Sequence, residues 1–586
     1  MRRFVGPACA IAVAGAACRS GHGASIPDAG EHSATRARGE AIAPPEGLLL
    51  EASLRDPDGA WSRLQQGAGG TLAVLPPTLG QLACTWLGVD EDLGALVDGH
   101  ATAHAVVVQR SRGSGTTGDV GWAVSLRLTE TGARQMGMPT AASRAGFSER
   151  VERGMRVLSR DPPLPAAIGI AQGWLIVARD EHDLLESGPY LVRTLAAPLS
   201  RASRASRAPS ASLVAMVPHG ALVGPIAAAL SSSWEAARAW LLEQGRSERE
   251  RHRGRQPDFG EPDAIVAALE HAARGRLATI ADARALRIEA ETGTDDVTVD
   301  VRALTGDERD ASASVEGDAS ASTPLGDARP LGEAPADTSL ALLFRDDVQE
   351  RAASVQSATA ALAEVLGSRL SDLEAREVDA ALEAWSRARG DWMAVGMGGA
   401  TDEALGVASE GAFWIRAPAA SEASASRAIR QVLELSRLPP FRAPLAQWLQ
   451  RQPVVFGPGP SSTATFSPVD EARQTRAGAA GAAWEVRGGV VTIALGGLPL
   501  QRLTGLTSSG SKWADDPRTA RVLAALGPST RFVALVQPLR FAAGRRVASA
   551  PLALAWGRQE GDPWVRLDVA DELVVAGVRA AGATVK

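Results

Sequence analysis

Apolar positions along the chain follow two periods. Residues 122–128 alternate, from Trp122 to Leu128, which predicts a half-buried strand. Residues 174–178 read Trp-Leu-Ile-Val-Ala, a fully apolar strand, and Asp180 follows as a helix cap. Across 352–370, Val355, Leu362, Val365 and Leu366 form a helical stripe. Ser371 and Glu374 make a capping box that opens a second helix, with Val378, Leu382 and Trp385 on one face and Gly390 at its end. Residues 392–397 then read as a buried strand. Residues 286–288 with 297–301, and 554–556 with 565–569, alternate around turns containing Gly293 and Gly561, as hairpins do. Helices and strands are mixed and the clearest strand pairs are hairpins. The expected fold class is therefore α+β, with largely antiparallel sheet and packed helices, in place of a doubly wound parallel sheet.

The same pattern recurs. Leu50-Glu51-Ala52-Ser53-Leu54-Arg55-Asp56 has a counterpart in Leu340-Ala341-Leu342-Leu343-Phe344-Arg345-Asp346. Ala142-Ser143-Arg144-Ala145 recurs as Ala425-Ser426-Arg427-Ala428, and the two hairpins close the two series in the same order. A chain of 586 residues exceeds one ordinary core. Two related halves are expected, over 45–304 and 338–586. Between them, 305–337 is rich in Ser, Ala, Asp, Gly and Pro, too poor in large apolar side chains to offset its own ordering, and reads as a linker. Residues 200–212, 246–263 and 457–483 read as surface insertions.

The N-terminus has a different character. Arg2 and Arg3 precede an apolar run over 4–17, too short for a bilayer span but the size of a signal-peptide core. Gly15-Ala16-Ala17-Cys18 resembles the lipobox of bacterial lipoproteins, departing from it at Gly15, where an aliphatic residue is usual. The resemblance implies a signal peptide over 1–17 and lipid attachment at Cys18. The alternative is ordinary cleavage nearby and a soluble secreted protein. Residues 18–44, without periodic apolar positions, suit a flexible tether. The expected address is the cell envelope, anchored to a membrane by the N-terminal lipid and facing the periplasm or the exterior.

Composition narrows the chemistry. Hydrophobic residues make up 45% and charged residues 22%, as in folded globular chains. The net charge of −6 provides no general basic field, so nucleic acid is not an expected partner. The only lysines are Lys512 and Lys586. Gly505 to Lys512 approaches a phosphate loop, but Ser511 separates Gly510 from the lysine, out of register with that motif. Acyl-enzyme chemistry is not served either: the Ser-x-x-Lys spacing of Ser509 and Lys512 lacks a Lys-Thr-Gly companion. His100 and His104, with Asp98, would share a face on a helix, yet 105–108 read as strand, no glutamate lies between the histidines and no third ligand is evident. Cys84 is the lone cysteine of the body and reads as a small buried hydrophobe. The 14 Trp, several of them in predicted strands, read as core residues.

Two segments extend the picture. Gly173-Trp174-Leu175-Ile176-Val177-Ala178 leads into Asp180-Glu181 and Leu184-Leu185. Trp513-Ala514-Asp515-Asp516-Pro517-Arg518 leads through Val522-Leu523 and Leu526-Gly527-Pro528 into an apolar run over 532–536. Both resemble passages of an uncharacterised class of exported bacterial envelope proteins with repeated strand–helix units. The resemblance implies an envelope-facing protein and no catalytic residue. The functional expectation is a non-catalytic envelope lipoprotein acting as a binding or structural module, with no catalytic, metal or cofactor-binding residue and a protein or apolar ligand as possible partner. The alternatives are a periplasmic carrier of a lipid or other apolar ligand, and a hydrolase with dispersed active-site residues.

Overall fold

A computed structural model describes residues 42–574 except 69–74, 88–90, 111–119, 138–146, 160–164, 197–211, 252–262, 271–281, 306–327, 399–412, 471–479, 541–549 and some shorter stretches. The signal peptide, Cys18, most of the tether, the first copy of the Ala-Ser-Arg-Ala recurrence and most of the insertions expected over 200–212 and 246–263 lie outside the described residues. Contacts divide the chain into unit 1 (Met1–Ala229, Ile280–Gly306, Val569–Lys586) and unit 2 (Leu230–Thr279, Asp307–Asp568). Among the described residues no helix is long and apolar enough to cross a membrane.

In unit 1, β1 (Leu48–Leu54) is followed by helices α1 (Pro57–Ala68) and α2 (Leu79–Leu87), then β2 (Ala103–Gln109), β3 (Val120–Arg127) and α3 (Glu130–Gly137). A meander of β4 (Ser148–Glu152), β5 (Met155–Ser159), β6 (Ala167–Ala171) and β7 (Trp174–Ala178) leads into α4 (Glu181–Tyr190), which runs on as a π-helical turn over Leu191–Leu195. β8 (Leu213–Pro218) enters α5 (Ala227–Arg251), within which the chain leaves the unit. It returns to form the hairpin β9 (Ala285–Thr292) and β10 (Asp296–Leu304). Every pairing is antiparallel, and the strand order is β4-β5-β6-β7-β3-β2-β1-β8-β9-β10.

In unit 2, β11 (Thr338–Arg345) is followed by α6 (Val348–Leu366), α7 (Asp372–Ala388), β12 (Trp392–Gly398) and β13 (Phe413–Pro418). Then come α8 (Glu422–Glu434), α9 (Pro439–Trp448), β14 (Val455–Phe456), β15 (Thr463–Phe466), β16 (Ala480–Arg487) and β17 (Val490–Gly497). The series ends with α10 (Pro499–Thr507), α11 (Pro517–Ala525), β18 (Thr530–Val536), β19 (Leu552–Gln559) and β20 (Asp562–Ala570). The order is β14-β15-β16-β17-β13-β12-β11-β18-β19-β20, and the pairings from β14 to β19 are all antiparallel. Strand for strand it is the order of unit 1. The chain is α+β.

Burial explains the local patterns. β7 is apolar at every position because both its faces are covered. Trp174, Ile176 and Ala178 pack with Leu184 of α4 and with Leu191 and Leu195 beyond it. Val177 joins Ile168, Ile170 and Leu158 on the other face, against Leu87 of α2 and Met136 of α3. In unit 2 the corresponding layers are Leu343, Ala394, Trp414, Val533 and Leu535 under Val522, Leu523 and Leu526, and Trp484, Val491 and Ile493 under Ala425 and Ile429 of α8. Each large apolar side chain sealed in these layers contributes roughly 1.5–3 kcal/mol. Asp180 caps α4 by accepting from the Asp183 amide, and Ser371 with Glu374 forms the capping box of α7.

Three expectations change. Residues 328–336, placed in a linker by composition, form a helical turn whose Leu331 and Ala334 are fully buried in the unit 2 core. A few well-placed apolar residues outweigh the polar average of that stretch. The insertion expected over 457–483 contains β15 and the start of β16, because small residues such as Ala464 and Ala482 can be core in a closely packed sheet. The strand over 392–397 is fully buried only at Ala394 and Gly396. Among the tryptophans, Trp61, Trp484 and Trp513 are fully buried, whereas Trp86 and Trp240 are exposed.

Gly396 lies directly across from Trp414, and a Cβ at Gly396 would come within 2.1 Å of the indole. Gly396→Ala is expected to destabilise unit 2 by about 1–3 kcal/mol through overpacking. Urea unfolding followed by tryptophan fluorescence reads this, and an unchanged midpoint would show that the ring does not rest on Gly396.

Candidate functional site

The first crossover of each unit leaves a central strand, makes two helices and returns as the neighbouring strand. An acid–base pair closes its neck. In unit 2, Asp346 follows β11 and Arg389 precedes β12; the guanidinium donates to both carboxylate oxygens, at 2.9 and 2.6 Å. Arg351 donates to the Asp346 and Gly390 carbonyls, both at 3.0 Å. In unit 1, Asp56 follows β1 and His100 precedes β2, and the His100 Nδ1–Asp56 Oδ1 distance is 2.8 Å. Asp56 has φ of 44° and accepts from the Gly59 amide, so it also starts α1. The hydrogen bond and charge of Asp56 raise the His100 pKa, and the Asp58 and Asp98 carboxylates add to the effect.

A second polar group sits where α4 meets the sheet. Asp183 is almost fully buried. It accepts from Arg110 Nε at 2.9 Å and from the Trp122 amide at 3.0 Å, while Arg110 also reaches Asp180 at 2.5 Å. Burial by itself disfavours both the Asp180 and Arg110 charges. Hydrogen bonds and charge outweigh it: Arg110 and the Asp183 amide hold Asp180 below the usual carboxylate range, and Asp183 with Asp180 holds Arg110 above its own. The corresponding start of α11 is neutral at the buried position: Thr519 donates to Asp516 and accepts from Gln537 Nε2 at 3.4 Å.

A third group is a row across one sheet face. Ser53, His104 and Ser125 are successive cross-strand partners on β1, β2 and β3. Ser53 Oγ lies 2.9 Å from His104 Nδ1, and the His104 ring packs 5.6 Å from Trp174. His104 and Ser125 are buried. The matching row of unit 2 is Leu343, Ala394 and Arg416. Its first two members are sealed apolar core, and the third is a half-buried cation.

The candidates read from sequence are dispersed by this arrangement. His100 and His104 engage different partners, Asp56 and Ser53, and belong to a loop and a strand, not to one helical face. Among the described residues no three His, Cys, Asp or Glu side chains cluster as a metal site. Cys84 is buried on α2. Lys512 pairs with Glu333, and its backbone amide donates to Asp515 at 2.7 Å as a short helical turn begins. Residues 508–510 of the loop before it lie outside the described residues. Sequence patterns do not single out Arg416, Thr492 or Glu485. Their only signal is a polar side chain inside the apolar strands Phe413–Pro418, Val490–Gly497 and Ala480–Arg487. Comparison of the chain with protein-family models, curated proteins and solved structures finds no match in any of the three.

Two outcomes are expected. Folding raises the His100 pKa above its ordinary value of 6.5. Its contribution is therefore complete below that value and disappears as pH rises through the folded one. The pair is exposed, so its contribution is under about 1 kcal/mol. Amide exchange at the start of α1 should be better protected at a pH of about 5.5 than at about 8, on either side of the ordinary histidine range. His100→Arg, which imitates Arg389, should abolish the difference; a difference retained in the variant excludes His100 as its source. Separately, Asp183→Ala leaves Arg110 without its most buried partner and should cost about 3–5 kcal/mol in urea unfolding. A loss below about 1 kcal/mol would contradict that role.

Proposed function

We propose that this chain is a non-catalytic envelope lipoprotein, exported and held to a membrane by a lipid on Cys18. It presents two related α+β units as a binding or structural module. The observation that carries the reading is the identical strand order of the two units, accompanied by charged groups employed in holding that order. Asp346 with Arg389 and Asp56 with His100 close crossovers, and Asp183 with Arg110 fixes a helix against a sheet. A polar set engaged in this way orients backbone, and its members already have protein partners. The relatedness of the units is supported further by the Arg-Asp that ends both first strands and by the hairpin that ends both series.

The tether is tested in a bacterial host by labelling with a radioactive fatty acid. The wild-type chain should incorporate label and Cys18→Ala should not; equal labelling of the two overturns the tether. The non-catalytic part has its own test at Ser53, whose hydroxyl meets an imidazole. A fluorophosphonate probe of activated serines should leave the purified protein unlabelled. Labelling that disappears in Ser53→Ala would reveal a nucleophile and overturn this part of the reading.

A further inference from the structure

Arg416 on β13, Thr492 on β17 and Glu485 on β16 are successive cross-strand partners. Partners of this kind project to the same face of a sheet. On that face, Ala483 and Ala494, two residues farther along the same strands, pack under Leu503 of α10. Among the described residues the guanidinium of Arg416 makes one long hydrogen bond, 3.4 Å from a terminal nitrogen to the Glu333 carbonyl. Among the described residues its Nε is sealed from solvent and has no partner. Glu485 Oε1, two strands away, is likewise sealed and without a partner among them. Thr492 between them is buried. The nearby Glu333 carboxylate is shared with Lys512. Burial lowers the basicity of Arg416, and the Glu333 charge only partly offsets that effect.

This differs from the treatment of Arg110 and Arg389. Arg110 has Asp180 and Asp183, and Arg389 has both oxygens of Asp346. A desolvated charge that is only partly compensated opposes folding. The strand order does not require one here, because Ser125 occupies the corresponding position of unit 1. A guanidinium with an unused donor edge is suited to a carboxylate, and an unused carboxylate oxygen is suited to a donor. About 10 Å, two strand spacings, separates the backbones of Arg416 and Glu485, so one small molecule can address both side chains.

We propose that Arg416, Thr492 and Glu485 form a binding site for a small carboxylic acid that also carries a hydrogen-bond donor, an α-amino or α-hydroxy acid. The carboxylate sits on Arg416, the amino or hydroxyl group donates to Glu485, and the Thr492 hydroxyl lies between them. The site rests on the binding reading above and is independent of the tether at Cys18, so fatty-acid labelling and ligand titration can fail separately.

The test is isothermal titration of the purified full chain with glycine, lactate, acetate and inorganic phosphate. Glycine or lactate should bind saturably and more tightly than acetate. Arg416→Gln should weaken that binding at least tenfold, and Glu485→Gln should remove the preference over acetate while retaining acetate binding. No saturable heat from any of the four probes, or equal affinity in wild type and Arg416→Gln, overturns the site. Tightest binding by phosphate, insensitive to Glu485→Gln, overturns the ligand class. Thr492→Val keeps both charges and the side-chain shape, and should weaken glycine or lactate several-fold even if a charge variant does not fold; unchanged affinity there counts against the site. A double-mutant cycle of Arg416→Gln and Glu485→Gln in urea, without probe, should show weak coupling. Strong coupling would mean that the two side chains pair with each other, which also overturns the proposal.

Discussion

Each sheet depends on its first strand being hydrogen-bonded along both edges. β1 lies between β2 and β8, and β11 between β12 and β18. One neighbour is reached through a two-helix crossover, and the other only after a meander and further helices. Nothing local brings these partners together, so the pairing must be specified by what the strands bury and by what closes the loops between them. Fixing register is the first requirement, since a slip of one residue would exchange the two faces of each sheet. The acid–base pairs at the crossover necks meet this need. They join the exit of the first strand to the entrance of the second, where a long excursion would otherwise leave the two ends free.

Because the strand orders agree, each unit shows which polar residues the other's architecture can do without. The neck pair persists with different chemistry: a nearly sealed bidentate Arg389–Asp346 in one unit, an exposed His100–Asp56 in the other. The position is constrained and the base is not. At the helices α4 and α11, a capping aspartate persists as Asp180 and Asp516, while the buried residue three positions on is Asp183 or Thr519. The cap belongs to the fold. The buried carboxylate belongs to unit 1, where Arg110 is available to meet it.

Short-range features are the ones legible in the sequence. Alternation located β3 and both closing hairpins, side-chain chemistry located the caps of α4 and α7, and the recurrence of Leu50–Asp56 at Leu340–Asp346 fell on the first strands of the two sheets. Properties set by register stayed hidden. Ser53 and His104, or Arg416 and Glu485, are neighbours only because particular strands pair at a particular offset, and periodicity carries no information about that offset. Composition misled where few residues decide the outcome, as at Leu331 in a polar stretch and at Ala464 and Ala482 in a run of small residues. The spacing of His100 and His104 would have meaning on a helix, but the chain between them turns into a strand and sends them to different partners.

The same reasoning separates the two rows at the centre of the sheets. Ser53, His104 and Ser125 carry no permanent charge, and Trp174 packs against the imidazole, so the row avoids the cost of a buried ion. Leu343 and Ala394 in the matching row show that an apolar filling also supports this architecture. Arg416 is neither. It brings a permanent charge into a position that serine or a hydrophobe could fill, beside a threonine and a carboxylate with unused capacity. Residues selected for packing alone tend to remove an incompletely compensated charge, since hydrophobic replacement is often neutral or stabilising. Retaining one where the fold does not need it is the pattern expected when the missing counter-charge is supplied from outside the chain.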